Sequence, residues 1–293
     1  MKYKIAMKNR LFLAMMVLAV SVGLRAEQMC EMMHILTGGY DAKTMTQAEM
    51  DSVLNLNNRE SNIGNRYRLG YKNKQGLFRH SFWADYYLVD TQKGDTIVLC
   101  DEPVRDAVLS PNGKYVVYAK ADNNLYIYKT DFDTEVAITT DTNSEIFNGI
   151  ADWLYEEEFG VTSLFEISPD SKLVAFVRLN ESEVPSFEWQ TYLGENSYPQ
   201  MHSLRYPRAG EANAKATVCV YDIYYKSIRT MQLPDLKDAY FPRLRWGVLP
   251  EATKANPQPQ ADLIVLQMNR DQTQMQVHKV NPKSTISHPF YQE

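Results

Sequence analysis

Short apolar runs separated by polar turns follow one another through most of the chain after about residue 67. Runs of about four to eight residues rich in Val, Ile and Tyr, bounded by Asn, Asp and Gly, predict β-strands. The turns Pro111-Asn112-Gly113 and Asp122-Asn123-Asn124 separate one such series. The pattern predicts an all-β sandwich, barrel or propeller. The strands predicted in this series are Ala107–Leu109, Tyr115–Ala119, Leu125–Lys129 and Val136–Thr139.

A sequence repeat favours the propeller among these folds. The segment LSPNGKYVVYAK, which begins at Leu109, returns as ISPDSKLVAFVR, which begins at Ile167. A weaker copy that lacks Ser-Pro begins at FPRLRWG. Units of short strands with one turn signal each are typical of propeller blades. We expect a partial β-propeller of about three to four blades, each a four-stranded antiparallel sheet.

These patterns divide the chain into three parts. Residues 1–26 are expected to form a signal peptide, residues 27–66 a polar lead-in segment, and residues 67–293 the propeller. Closed propellers have about four to eight blades, so we expect this one to be incomplete. An incomplete propeller leaves an open sheet edge, which an unusual closure or a partner would cover.

The first 26 residues differ from everything that follows. MKYKIAMKNR is basic, Leu11–Val20 is wholly apolar, and SVGLRA supplies small residues. This order is typical of a secretory signal peptide, and the apolar run is too short to span a bilayer comfortably. We therefore expect an exported protein, periplasmic or extracellular, with no other membrane segment. An uncleaved N-terminal membrane anchor is the alternative.

Composition and charge mainly exclude kinds of partner and cofactor. The hydrophobic share of 44% and the charged share of 23% are ordinary for a globular protein. A net charge of −5 gives no basic surface, so nucleic acid is not an expected partner. The three cysteines, Cys30, Cys100 and Cys219, have no metal-ligand spacing, and neither do the five histidines. We expect no metal and no other cofactor.

The run DWLYEEEFG, residues 152–160, carries the candidate chemistry. Glu156, Glu157 and Glu158 are adjacent like charges between aromatic residues, and their repulsion grows where water is excluded. A bound cation would relieve it. The alternative is a solvated acidic helix end, which is the usual role of a charge run.

Five segments carry a family resemblance. NGIADWLYEEEFG, SPDSKLVAFVRLNESEVPSFEW and YPRAGEANAKATVCVYD, supported by FRHSFWADYYLVD and VNPKS, resemble the N-terminal propeller domain of dipeptidyl peptidase IV. That enzyme belongs to the prolyl oligopeptidase family of serine peptidases, which release N-terminal dipeptides, typically X-Pro. The matching segments run from about residue 77 to residue 284. The resemblance implies that the glutamate run forms a short helical insertion facing the substrate cavity.

The resemblance also implies roles for individual residues. Glu157 and Glu158 would bind the free α-ammonium of a peptide, and Arg79 would hold a substrate carbonyl. An α-ammonium is largely protonated at neutral pH and offers three donors, so paired carboxylates suit it. The alternative for Arg79 is a surface ion pair. Residues expected to support the site are Trp153, Tyr155 and Glu156.

The long extension after the second repeat is expected to be structural. Tyr192, Tyr198 and Tyr206 are expected to pack within it, and the resemblance implies that it helps to form a homodimer. Glu181 and Glu183 are expected to cap or tie the exit of a strand.

The catalytic residues of a serine peptidase are not expected within this chain. No G-x-S-x-G motif occurs in the sequence. The resemblance implies that this motif belongs to a C-terminal α/β-hydrolase domain. We expect the chain to be the substrate-binding portion of a dipeptidyl peptidase IV-like enzyme, inactive alone. The alternative is a stand-alone exported module that binds peptide N-termini or a protein partner.

Overall fold

The computed structural model describes residues 66–192, 198–254, 256 and 259–293. The predicted signal peptide (1–26), almost all of the predicted lead-in segment (27–66) and Cys30 lie outside the described residues. The described residues hold one helix, α1 (Trp153–Phe159). No helix among them is both long and apolar enough to cross a membrane.

Four antiparallel sheets follow one another along the chain, and we call them blades 1 to 4. Blade 1 contains β1 (Tyr67–Gly76), β2 (Phe82–Asp90) and β3 (Thr96–Val98). Blade 2 contains β4 (Arg105–Leu109), β5 (Tyr115–Ala119), β6 (Leu125–Lys129) and β7 (Thr134–Ala137). Blade 3 contains β8 (Ile146–Asn148), β9 (Phe165–Ile167), β10 (Leu173–Asn180), β13 (Lys215–Asp222) and β14 (Ser227–Thr230). Blade 4 contains β15 (Tyr240–Trp246), β16 (Leu263–Met268), β17 (Met275–Val280) and β18 (Ser287–Gln292).

Two insertions interrupt blade 3. The strands β8 and β9 both pair with β10, at different positions along it, and α1 lies in the connection between them. The second insertion is a hairpin that joins β10 to β13, which we call the arm: β11 (Ser186–Thr191) and β12 (Gln200–Arg205). Insertions of this kind carry function in many folds because the sheets hold them rigidly.

The central strands of the blades are buried on both faces. In β5, Val116 and Tyr118 pack against blade 1, whereas Val117 packs against blade 3. The strand β10 repeats the arrangement: Phe176 packs towards blade 2 and Val177 towards blade 4. Because side chains alternate between the two faces of a strand, a continuous apolar run such as LVAFV fills two interfaces. Each fully buried side chain of this size contributes about 1.5–3 kcal/mol.

The repeated Ser-Pro segments form the same turn twice. Ser110 donates from its hydroxyl to Asn112 at 2.8 Å and accepts from the Tyr115 N–H at 2.9 Å. Ser168 donates to Asp170 at 2.6 Å and accepts from the Leu173 N–H at 2.9 Å. The serine thus bridges the turn and the following strand in both blades.

The predicted fold class, an all-β partial propeller with a short helix carrying the glutamate run, is confirmed. The predicted strands Tyr115–Ala119 and Leu125–Lys129 are also confirmed. The predicted strand Val136–Thr139 is wrong in its bounds, because β7 ends at Ala137. The Thr139 hydroxyl accepts from the Leu125 N–H at 3.0 Å, so a side chain takes the place of the next ladder partner. Among the described residues blade 1 has three strands and blade 3 has five, so these two sheets depart from the four-stranded pattern.

Candidate functional site

The helix α1 is short because both of its ends are fixed. Asp152 is its N-cap, and its carboxylate accepts from the Tyr155 N–H at 2.8 Å. Gly160 ends the helix in the left-handed conformation, with φ of 62°. An acidic N-cap followed by a glycine C-cap confines the glutamates to two helical turns.

Blade 4 holds the buried side and the end of α1. The Tyr155 hydroxyl accepts from the Phe241 N–H at 2.9 Å, and burial raises the pKa of this phenol well above its usual range. Arg243 donates to the Phe159 carbonyl oxygen at 3.1 Å. A cation at the C-terminal end of a helix opposes the partial negative charge there. Both contacts come from β15, so α1 is fixed to a rigid strand.

Glu156, the first glutamate of the run, is fully buried and points back into the protein. Its Oε1 accepts from the His80 N–H at 2.6 Å and from the Ser81 N–H at 2.9 Å. Backbone donors therefore stabilise this carboxylate in place of water. The contact fastens α1 to the loop of blade 1 that carries Arg79.

Glu157 and Arg79 form an ion pair across the same junction. The Arg79 Nε lies 2.9 Å from one carboxylate oxygen of Glu157 and 3.2 Å from the other. The Arg79 side chain is 68% exposed and that of Glu157 is 18% exposed. A pair this close to water contributes at most about 1 kcal/mol to stability, so its geometry is of more interest than its energy.

Glu158, the residue after Glu157 in α1, is exposed. No hydrogen bond or ion pair joins Glu158 to another residue in the described ranges. Arg79, Glu157 and Glu158 together carry one net negative charge. The structure therefore brings together two of the three predicted site residues, Arg79 and Glu157, and leaves the third, Glu158, exposed and unpaired.

Trp153 connects α1 to the base of the arm. Its ring meets the ring of Tyr206 edge-on, with centroids 4.8 Å apart. The prediction that Tyr192 and Tyr198 pack within the extension is wrong, because they are 71% and 84% exposed.

A polar network of Arg105, Asp106 and Thr162 was not expected from the sequence. The Arg105 guanidinium is buried, donates to the Asp106 carboxylate at 3.0 Å and donates to the Thr162 carbonyl oxygen at 3.2 Å. Asp106 also accepts from the Thr162 hydroxyl at 2.8 Å and has a positive φ of 55°. The network ties the chain just after α1 to blade 2. Nothing in the local sequence VRDAV signals a buried arginine.

The burial of Asp152 and Glu181 in one cavity was also not expected from the sequence. Both carboxyl groups are buried and line one small cavity at the start of α1. Asp152 before an apolar and acidic run has the position of a helix cap, which could have been recognised. Glu181 gave no local signal. Glu183, by contrast, pairs with Lys215 at 2.6 Å and does tie a strand exit, as expected.

Comparisons with known proteins agree with this architecture. Residues 63–292 match the family described as "Dipeptidyl peptidase IV (DPP IV) N-terminal region". A probable dipeptidyl-aminopeptidase B of Talaromyces marneffei is 41% identical over 162 residues, which are 50% of this chain and 18% of that protein. One from Aspergillus niger is 33% identical over 211 residues, which are 67% of this chain and 22% of that protein. The chain thus spans about one fifth of the length of these curated relatives.

Solved structures extend the comparison to three dimensions. The crystal structure of Porphyromonas gingivalis dipeptidyl peptidase 4 superposes with a TM-score of 0.69 at 34% identity, over 78% of this chain and 31% of that one. A putative dipeptidyl aminopeptidase IV from Bacteroides ovatus gives a TM-score of 0.56 at 19% identity, over 78% of this chain and 28% of that one, which shows the fold alone. With the family match over residues 63–292 added to these blades, the chain belongs to the dipeptidyl peptidase IV N-terminal region family.

Proposed function

We propose that this region is the substrate-binding portion of a dipeptidyl peptidase IV-like enzyme that releases N-terminal dipeptides. Glu157 and Glu158 bind the α-ammonium of the peptide, and Arg79 binds a carbonyl oxygen near it. One observation carries the proposal: Arg79 pairs with Glu157 on a helix anchored to two blades, and the next residue of that helix, Glu158, is exposed and unpaired. Such a surface has one negative charge to offer to a monovalent cation.

The chemistry of an α-ammonium fits this arrangement. Its three donors match carboxylate acceptors, and charge-assisted bonds of this kind are roughly twice as strong as neutral ones. A free N-terminus is therefore selected steeply, since an acylated one would leave the acids without a cation.

Arg79 has donors to spare for a carbonyl group. In the described residues its hydrogen bonds involve Nε alone, so both Nη atoms remain available. A guanidinium stays charged and presents its donors in a fixed plane. Anchored to Glu157, it would meet the backbone of a peptide whose amine is bound next to it.

No catalytic residue is assigned within this chain. The names of the relatives, dipeptidyl-aminopeptidase B and dipeptidyl peptidase 4, indicate hydrolysis by those proteins. For this chain we infer binding of the peptide N-terminus and no hydrolysis by the chain alone.

The test compares a peptide with a free N-terminal Gly-Pro and its N-acetylated twin, each labelled at the C-terminus. We expect the free peptide to bind the wild-type chain about tenfold or more tightly than the acetylated one. The variant Glu158→Gln should lose this preference, whereas Glu188→Gln, an exposed carboxylate on the arm, should keep it. Equal binding of the two peptides to the wild type would contradict the proposed function.

A binding role for the arm is the second candidate, and it has its own observation. Phe187, Trp189 and His202 stack along one face, with centroids 6.1 Å and 5.3 Å apart, and the side chains of Phe187 and Trp189 are exposed. An exposed apolar face of this kind fits the homodimer implied by the resemblance, or a protein partner of a stand-alone module. Sedimentation of the wild type and of Trp189→Ser distinguishes a dimer formed through the arm from a monomer.

Export belongs to the same proposal. The order of basic, apolar and small residues in segment 1–26 supports it, and a membrane anchor that is not removed is the alternative. Mass spectrometry of the N-terminus after secretion distinguishes the two. A new N-terminus near Ala26 is the expected result.

A further inference from the structure

Two carboxyl groups meet where the glutamate-bearing helix begins. Asp152, the N-cap of α1, is 4% exposed, and Glu181, which follows β10, is 8% exposed. Both line the same small cavity, where the two side chains lie close enough to share a hydrogen bond. Two carboxyl groups can share such a bond only if one of them holds a proton, and burial penalises a second negative charge.

We assign the shared proton to Glu181 because its surroundings stabilise a negative charge less well than those of Asp152 do. Asp152 accepts from the Tyr155 N–H at 2.8 Å and lies at the positive end of α1. Among the described residues no backbone N–H donates to the Glu181 side chain, and its main chain bonds to Glu145 and Val184 instead. The pair therefore consists of an Asp152 carboxylate that accepts from a neutral Glu181 carboxyl.

The other charged or titratable groups around the cavity offer no compensation for a second negative charge. The Arg205 guanidinium donates to the Val184 carbonyl oxygen and pairs with Glu145. The remaining groups that line or approach the cavity are the phenols of Tyr155 and Tyr240, and the pair Asp238 and Arg270 beyond Tyr240. The Tyr155 hydroxyl accepts from the Phe241 N–H, and the two cations, Arg205 and Arg270, are each paired with a carboxylate. None of these groups therefore offers Glu181 an unpaired positive charge.

We propose that Glu181 is a positioning residue for the amine-binding glutamates: its neutral carboxyl holds Asp152 at the start of α1, and its ionisation in alkaline solution releases that end of the helix and weakens peptide binding. The proposal rests on the proposed function, since the bound ligand is the peptide N-terminus. Asp152 begins the helix five residues before Glu157. A displaced N-cap therefore moves both acids relative to Arg79.

The direction of the pH effect follows from the surroundings. Burial, then the negative charge of Asp152, then the shared hydrogen bond raise the pKa of Glu181 from 4.5 to about 8. Burial likewise raises the pKa of Asp152 from 3.8 to about 6. In the released state a solvated Glu181 loses its proton near its ordinary value. The state in which Glu181 holds Asp152 at the start of α1 therefore becomes less stable, relative to the released state, as the pH rises. This loss of stability levels off once the pH passes about 8.

The experiment measures the affinity of the free Gly-Pro peptide for the full chain from about pH 6 to about pH 9.5, in the wild type and in Glu181→Gln. The glutamine amide donates to Asp152 but cannot ionise. Because the peptide amine titrates in the same range, the informative quantity is the ratio of the two dissociation constants at each pH. We expect a ratio near one at the acidic end, and wild-type binding about tenfold weaker than that of the variant at the alkaline end.

A matched control and a second readout complete the test. Glu183→Gln, two positions away but outside the cavity, should follow the wild type at every pH. The thermal midpoint of Glu181→Gln should fall less than that of the wild type between about pH 6 and about pH 9.5, whether or not peptide binds. A constant ratio of affinities together with parallel thermal midpoints would overturn the role of Glu181. Loss of the free-peptide preference at about pH 6 would instead count against the proposed function alone.

Discussion

The backbone N–H of Ser81 donates to the buried carboxylate of Glu156 at 2.9 Å, across 75 positions of sequence. The N–H of His80 donates to the same oxygen at 2.6 Å. One carboxylate thus joins the first blade to the helix inserted in the third. Arg79 directly precedes His80 and Glu157 directly follows Glu156, so this contact sets the position of Arg79 relative to Glu157.

The first prediction concerns that contact. Replacing Glu156 with Ala leaves the buried Ser81 N–H and the partly buried His80 N–H without acceptors, which costs about 2–4 kcal/mol of unfolding free energy. Glu156→Gln keeps an acceptor and should cost about 1 kcal/mol. Urea denaturation followed by tryptophan fluorescence gives both values. Glu158→Ala is the control and should change stability by less than about 0.5 kcal/mol. Similar costs at the two positions would show that the buried contact is not important for stability.

The second prediction uses two glycines that flank the helix. Gly149 has φ of 67°, and a Cβ there would lie 2.7 Å from the Leu125 Cδ1 and 3.1 Å from the Phe165 Cβ. Gly160 has φ of 62°, but a Cβ there would meet nothing within 4 Å. Both alanine variants incur the left-handed penalty of about 1–2 kcal/mol, and only Gly149→Ala adds overpacking of about 1–3 kcal/mol. Denaturation curves should therefore rank Gly149→Ala as clearly the less stable variant. Equal stability of the two would contradict the packing derived for Gly149.

The fold could be predicted from the sequence because its signals are local. Ser110 and Ser168 each close a turn within five residues, and the apolar run after each turn fills both faces of a central strand. The end of β7 could not be predicted, because the Thr139 hydroxyl pairs with Leu125 from across a hairpin. Ile138 and Thr139, which follow Ala137, have the composition of a strand, although the regular strand has already ended.

The site could be predicted only in part, and largely through the family resemblance. The resemblance indicated Glu157, Glu158 and Arg79, but the sequence did not reveal that Arg79 pairs with Glu157 alone. The buried state of Glu156 depends on the loop at His80 and Ser81, far away in sequence. The Asp152–Glu181 pair is similarly non-local, and two buried carboxyl groups that line one cavity have no sequence signature.

The third prediction is an acid sensitivity in blade 4. His278 is fully buried, its Nε2 lies 2.8 Å from the Gln267 Oε1, and its Nδ1 has no partner within the described ranges. Burial lowers the pKa of this imidazole below 6.5. As the pH falls below 6.5, His278 binds a proton more readily in the unfolded chain than in the folded chain. The free energy of unfolding therefore falls as the pH falls. His278→Gln should lose less stability than the wild type between about pH 7 and about pH 5 in urea denaturation. Parallel curves would exclude His278 as a contributor.

The fourth prediction tests separately the binding of the ammonium group and of the carbonyl group of the peptide. Arg79→Met removes the guanidinium, while its side chain keeps much of the apolar stem. Binding of the free Gly-Pro peptide should weaken by about ten- to a hundredfold, since a charge-assisted bond to a carbonyl is worth about 1.5–3 kcal/mol. Binding of n-butylamine, which has an ammonium but no carbonyl, should not weaken, because the loss of Arg79 leaves both Glu157 and Glu158 unpaired. NMR titration measures both affinities on one sample. If the amine and the peptide lost affinity by the same factor, Arg79 would be acting through the placement of Glu157 and not through a carbonyl.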